Sequence, residues 1–111
     1  MIIFSIISIN LAWGNHEFQC YSNSSKNVHI DNGILILTAT PLDMPEKKHN
    51  YTSGKLMGKL GFTYGKFEAR LRMPEGKQLW PAFWMLPKDF VYGNTFAASG
   101  EIDIMELRGD E

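Results

Sequence analysis

The stretch Glu101-Ile102-Asp103-Ile104-Met105-Glu106-Leu107 alternates acidic and aliphatic residues and then breaks its own alternation. Alternation at period two marks a β-strand, whose successive side chains point to opposite faces. Glu101 and Asp103 share one face and Ile102 and Ile104 the other, but Glu106 and Leu107 each arrive one residue late for theirs. Both faces slip at the same place, so one extra residue near Ile104–Met105 repairs them together. A β-bulge inserts such a residue and re-aims the side chains around it. The expectation is a bulged strand carrying Glu101, Asp103 and Glu106 on one face, above Ile102, Ile104 and Leu107.

The rest of the chain also reads as short strands between turns. Val28-His29-Ile30, then Asp31-Asn32-Gly33, then Ile34 to Thr40 predicts a hairpin, because Asn-Gly tolerates the positive φ that a type I′ turn needs at both central residues. Pro41 and Pro45 are expected to close the second strand and open a loop through Asn50. From Tyr64, the residues Phe67, Ala69, Leu71 and Met73 oppose Lys66, Glu68, Arg70 and Arg72, which predicts a half-buried antiparallel strand. Leu79 to Leu86 is apolar on both faces, with Trp80, Ala82, Trp84 and Leu86 on one and Pro81, Phe83 and Met85 on the other. Covered faces on both sides are expected there. No stretch carries a helical pattern, and no repeat is present. The fold class this implies is all-β, an antiparallel sandwich or barrel.

With 111 residues, the chain can build one small core. Its 11 basic and 12 acidic residues give a net charge of −1, and no basic stripe runs along it, so a nucleic-acid partner is not expected. The short charged run Glu46-Lys47-Lys48-His49 reads as a solvated loop. Cys20 is the single cysteine, which excludes an internal disulfide framework. His16, His29 and His49 lack metal-ligand spacing, so no metal or cofactor is expected. The apolar run in Met1–Ala12 is too short to span a bilayer. It lacks a preceding basic residue and a small-x-small cleavage site, which suits a signal peptide poorly; a buried strand or an arbitrary start of the sequence are the other readings. Asn23-Ser24-Ser25 and Asn50-Tyr51-Thr52 fit the N-glycosylation sequon, which matters only in an exported chain.

Paired carboxylates on one strand face, with aromatic residues on neighbouring strands, suit glycoside hydrolysis. In the retaining form one carboxylate attacks the sugar while the other protonates the leaving oxygen and then activates water, the two standing about 5–5.5 Å apart. Glu101 and Glu106, brought into phase by the bulge, suit that pair, with Asp103 between them to hydrogen-bond Glu101 and hold its charge. Trp80 and Trp84 are candidates to stack on the apolar faces of sugar rings, or equally to fill a core.

Leu79-Trp80-Pro81-Ala82-Phe83-Trp84-Met85-Leu86-Pro87, followed by Gly100-Glu101-Ile102-Asp103-Ile104-Met105-Glu106, closely resembles glycoside hydrolase family 16, the laminarinase-like β-1,3-glucanases. Tyr64 to Arg70 and Trp13 to Gln19 are similar to the same family, so the resemblance covers residues 13–111. It implies a concanavalin-like β-jelly roll with a concave glycan cleft, secretion, a monomer, and retaining endo-hydrolysis of β-1,3-glucan. By position it implies that Glu101 is the nucleophile, Glu106 the acid/base and Asp103 the assisting carboxylate. Asn15, Arg70, Trp80, Trp84 and Phe96 are its implied substrate-binding residues. The five-residue spacing of the glutamates matches the bulged branch of laminarinases, agarases and carrageenases. One departure is Phe96-Ala97, where laminarinases often have Trp-Pro; a phenyl ring can stack but carries no indole N–H.

A sandwich of this kind commonly takes roughly 200–250 residues. Residues 13–111 are therefore expected to be the N-terminal part of such a domain, with little activity as an isolated chain. Two other readings stand beside the enzyme: a glucan-recognition module without hydrolysis, and a truncated product without independent function. Retention of all three carboxylates disfavours the first of these.

Overall fold

The computed structural model describes residues 4–6, 17–46 and 49–109, with nine strands and one helical turn among them. The chain divides into two compact units, Met1–Lys59 and Leu60–Glu111. The first unit holds β1 (Phe4–Ile6), β2 (Gln19–Tyr21), β3 (Val28–Asp31), β4 (Ile34–Leu37), β5 (Thr40–Glu46), β6 (His49–Ser53) and β7 (Leu56–Gly58). The second holds β8 (Ala82–Met85), the helical turn α1 (Phe96–Ser99) and β9 (Ile102–Glu106). The protein is accordingly all-β.

In the first unit, β3 and β4 form the expected hairpin, with Asp31 opposite Ile34 and Val28 opposite Leu37. Asn32 and Gly33 sit at φ 47° and 78°, the left-handed region that the two-residue turn demands. Behind the hairpin, Asn27 is 1% exposed and donates from Nδ2 to the Thr38 carbonyl at 2.9 Å and to Thr40 Oγ1 at 3.3 Å. The Thr38 amide returns a 2.9 Å bond to the Asn27 carbonyl. A buried amide is tolerated because its donors are used, and here they tie the start of β3 to the start of β5. Val28, beside it, is the one buried apolar residue among those described.

Two features of this unit depart from the sequence expectation. Thr40–Glu46 is a strand, not a closing turn and loop, and pairs antiparallel with β6. Pro41 and Pro45 are accommodated because β5 is the edge of the three-stranded order β2-β6-β5, and its register shifts between Pro41 and Glu46. An edge strand at an irregularity needs no ladder N–H from either proline. The sheet is also mixed, because β2 runs parallel to β6 with Gln19 opposite Tyr51. Within Met1–Ala12, Phe4–Ile6 pairs antiparallel with β7. Trp13 to His16 and the pair Lys47-Lys48 lie outside the described residues.

In the second unit, the expected strand over Tyr64–Met73 carries no ladder and no regular structure. Leu71 is 45% exposed, while Phe67 is half-buried with its ring edge-on to Phe62 at 5.7 Å. Alternation sets which way side chains point, but a strand also needs a hydrogen-bonded neighbour, and no described residue supplies one here. The expected coil before the acidic strand contains α1: the Ala98 amide bonds both the backbone oxygen and Oγ1 of Thr95, each at 3.2 Å. Gly100 at φ 88° ends the turn and admits the chain to β9. A single capped turn is too short to leave a 3.6-residue periodicity in the sequence.

Candidate functional site

β8 and β9 pair antiparallel, and their register carries the site. Ala82 lies opposite Glu106 and Phe83 opposite Met105; Trp84 then lies opposite Asp103 and Met85 opposite Ile102. Ile104 has no partner, so it is the extra residue of a bulge at the position the broken alternation demands. Residues directly opposite in an antiparallel pair share a face. Asp103 and Glu106 therefore stand on the face of Ala82 and Trp84, while Ile102 and Met105 stand on the other with Phe83 and Met85. Glu101 lies just before β9, two residues ahead of Asp103.

The pairing runs past both strand ends, because the Leu107 amide donates to the Pro81 carbonyl at 3.1 Å and the Gly109 amide to the Leu79 carbonyl at 2.9 Å. Continuing that register sets Trp80 opposite Arg108. Trp80 lies diagonally across from Glu106, within reach of a long side chain. Its indole Nε1 donates to Glu106 Oε1 at 2.7 Å. The Arg108 guanidinium carbon lies 5.1 Å from the centroid of the indole, as a cation–π pair requires. Ala82, opposite Glu106 and with only a methyl group, leaves the space across which the indole reaches.

Glu101, Asp103 and Glu106 are all solvent-exposed, as is Trp80 at 49%, while Trp84 is half-buried beside Asp103. The Leu79–Leu86 segment is thus covered less than its composition suggests: Trp80 and Ala82 are exposed on the face of Asp103 and Glu106. Arg70 lies exposed on the strandless segment. Asn15 and the side chain of Phe96 fall outside what is described. Arg108 is the residue that sequence reasoning missed. Its signal was available only through register, since it follows Glu106 by two and so returns to the acidic face. Among the described residues no group of His, Cys, Asp and Glu is arranged to hold a metal ion, and no helix is long and apolar enough to cross a membrane.

The β8–β9 pair thus presents an acidic face, a bulge that sets its phase and a tryptophan bonded to one of its carboxylates. The chain belongs to the glycosyl hydrolases family 16, whose profile matches residues 10–111. The jelly roll of that family agrees with a described chain whose regular elements are strands apart from one helical turn. Over 105 residues, 87% of the chain, it is 49% identical to a glucan endo-1,3-beta-glucosidase A1 of Niallia circulans, of which it covers 15%. It is 44% identical over 101 residues, again 87% of the chain, to a glucan endo-1,3-beta-glucosidase of Cryptopygus antarcticus, covering 37% of that protein. Over 62 residues, 54% of the chain, it is 52% identical to a beta-1,3-glucan-binding protein of Penaeus monodon, covering 17% of it. The chain thus spans well under half the length of these relatives. No solved structure matches it significantly.

Proposed function

We propose that the protein hydrolyses the O-glycosidic bonds of a β-1,3-glucan with retention of anomeric configuration. The observation that carries this reading is the bulge at Ile104, through which Asp103 and Glu106 share one face of the β8–β9 pair. Glu101 attacks the anomeric carbon as the glycosidic bond breaks, and Glu106 gives its proton to the departing oxygen. The glycosyl ester on Glu101 is then released by water, whose proton returns to Glu106 as the new C–O bond forms. Asp103, between them, orients Glu101 and keeps it charged for attack. Trp84, half-buried next to Asp103, is the aromatic wall against which a sugar ring packs. The enzyme reading draws further support from the two relatives named as glucan endo-1,3-beta-glucosidases.

Export suits the action of such a protein on an extracellular polysaccharide. Asn23 and Asn50, at the heads of the two sequons, are both exposed. A second reading, glucan recognition without turnover, is favoured by the likeness to the Penaeus monodon glucan-binding protein.

The test is laminarin digestion by the protein that carries this segment, followed by proton NMR before mutarotation. A β-configured first product and loss of at least about a thousandfold in kcat on Glu101→Gln are expected, since a covalent nucleophile has no substitute of its own kind. An α-configured product, or undiminished turnover by Glu101→Gln, would sink the mechanism. Laminarin binding with no release of reducing ends would establish recognition instead.

A further inference from the structure

Trp80 is the natural residue to assign to sugar stacking, yet its one polar atom is already committed. The indole N–H is donor only. At 2.7 Å from Glu106 Oε1 it makes the short bond that a carboxylate acceptor allows. Arg108, directly across the ladder, lies against the same ring at 5.1 Å and limits its swing. Three residues on one sheet face are thereby ordered in sequence: cation, ring, carboxyl.

We propose that Trp80 is a positioning residue for Glu106, with Arg108 steadying it, and that the indole N–H determines which carboxyl oxygen carries the catalytic proton. This rests on the hydrolytic reading above. With Oε1 accepting from the indole, the proton of neutral Glu106 resides on Oε2. In the first step the Oε2–H bond breaks as the proton passes to the glycosidic oxygen. The C–O bond to the leaving group breaks, and the bond from Glu101 to the anomeric carbon forms. Negative charge disappears from Glu101 and appears on Glu106. The indole bond therefore changes from one accepted by a neutral carbonyl to one accepted by a carboxylate, and strengthens during the step. An interaction that strengthens on the way to the transition state lowers the barrier and leaves substrate affinity almost untouched. The other charged groups nearby are Asp103 from β9, Glu101 just before that strand and Arg108 just after it; β8 contributes none.

The first test reads the contact itself in the 111-residue chain. In ¹⁵N-labelled protein the Trp80 indole resonance, identified by its absence in Trp80→Phe, is expected to shift on Glu106→Gln and to hold still on Asp103→Asn. The second reads its purpose in the active protein, with Trp80 replaced by phenylalanine and, separately, by benzothienylalanine, which keeps the bicyclic shape and lacks only the N–H. Hydrogen bonds to charged groups are worth enough to expect a loss of roughly 10- to 100-fold in kcat on laminarin from either replacement. KM should stay within about threefold, as expected when only the transition state loses an interaction. A dinitrophenyl oligoglucoside, whose leaving group departs without protonation, should be cleaved at nearly the parent rate. A rise in KM at constant kcat would make Trp80 a stacking platform and overturn the proposal. Equal losses on both substrates, shown also by the benzothienyl variant, would overturn it in favour of a scaffold role. An active protein whose indole resonance ignores Glu106→Gln overturns the positioning while hydrolysis stands. A protein that releases no sugar although the resonance follows Glu106 does the reverse.

Discussion

Deleting Ile104 removes the bulge, and the register states what should follow. Asp103, Met105 and Glu106 become consecutive, and they already lie opposite Trp84, Phe83 and Ala82, which are consecutive in reverse. The deletion therefore leaves every pairing in place and keeps Asp103 and Glu106 on one face. Ile104 is 40% exposed, so somewhat more than half of an isoleucine's burial is forfeited, about 1–2 kcal/mol from a full value of roughly 1.5–3. A regular ladder restores about one hydrogen bond, worth roughly 0.5–1.5 kcal/mol. The net cost is expected to stay near or below about 1 kcal/mol, small beside the marginal stability of a domain. Urea denaturation followed by circular dichroism measures that cost. Cross-strand nuclear Overhauser effects between Ala82 and Glu106 and between Trp84 and Asp103 report the register, and the Trp80 indole resonance reports the contact with Glu106. Failure to fold, a cost above about 3 kcal/mol, or loss of the Ala82–Glu106 proximity would show that the bulge does more than set phase.

Asn27→Ala removes two donors from a buried position and strands the Thr38 carbonyl, at a cost of roughly 1–3 kcal/mol. Asn27→Asp should cost more, since it turns an acceptor towards the Thr38 carbonyl and buries a charge; equal costs in urea titrations would refute the donor role. Tyr21 titrates at higher pH than an ordinary tyrosine, chiefly because burial disfavours its phenolate and secondarily because Glu17 is near. A group whose folded pKa is raised adds stability that is complete below its unfolded value near 10 and is lost as pH rises through the folded one. Stability should therefore fall above about pH 10, and the fall attributable to Tyr21 should vanish in Tyr21→Phe; an unchanged slope would exclude this residue as its source.

Local chemistry made much of the molecule readable in advance. The Asn32-Gly33 turn was legible because positive φ is a property of one or two residues and needs no partner. The bulge at Ile104 was legible for a related reason, since a phase error on both faces of a strand has one economical repair. The strand β5 was hidden because prolines argue against a ladder unless an edge is known, and edges belong to sheets. Tyr64–Met73 misled in the opposite way, with a faultless alternation and no partner among the described residues. The contact of Trp80 shows the same limit at the site: nothing local in the sequence tells that its N–H is held by a carboxylate that follows it by 26 positions.

By itself, then, the order of residues determined the strand-rich class, the hairpin turn, and the shared face of Asp103 and Glu106, because strand phase is counted along one chain. Only the tertiary structure decided that Ala82 stands opposite Glu106, that Trp80 reaches diagonally to its Oε1 and that Arg108 lies against the indole. Those are relations across a ladder, and a ladder's register is set by the hydrogen bonds between two segments that neither segment contains alone.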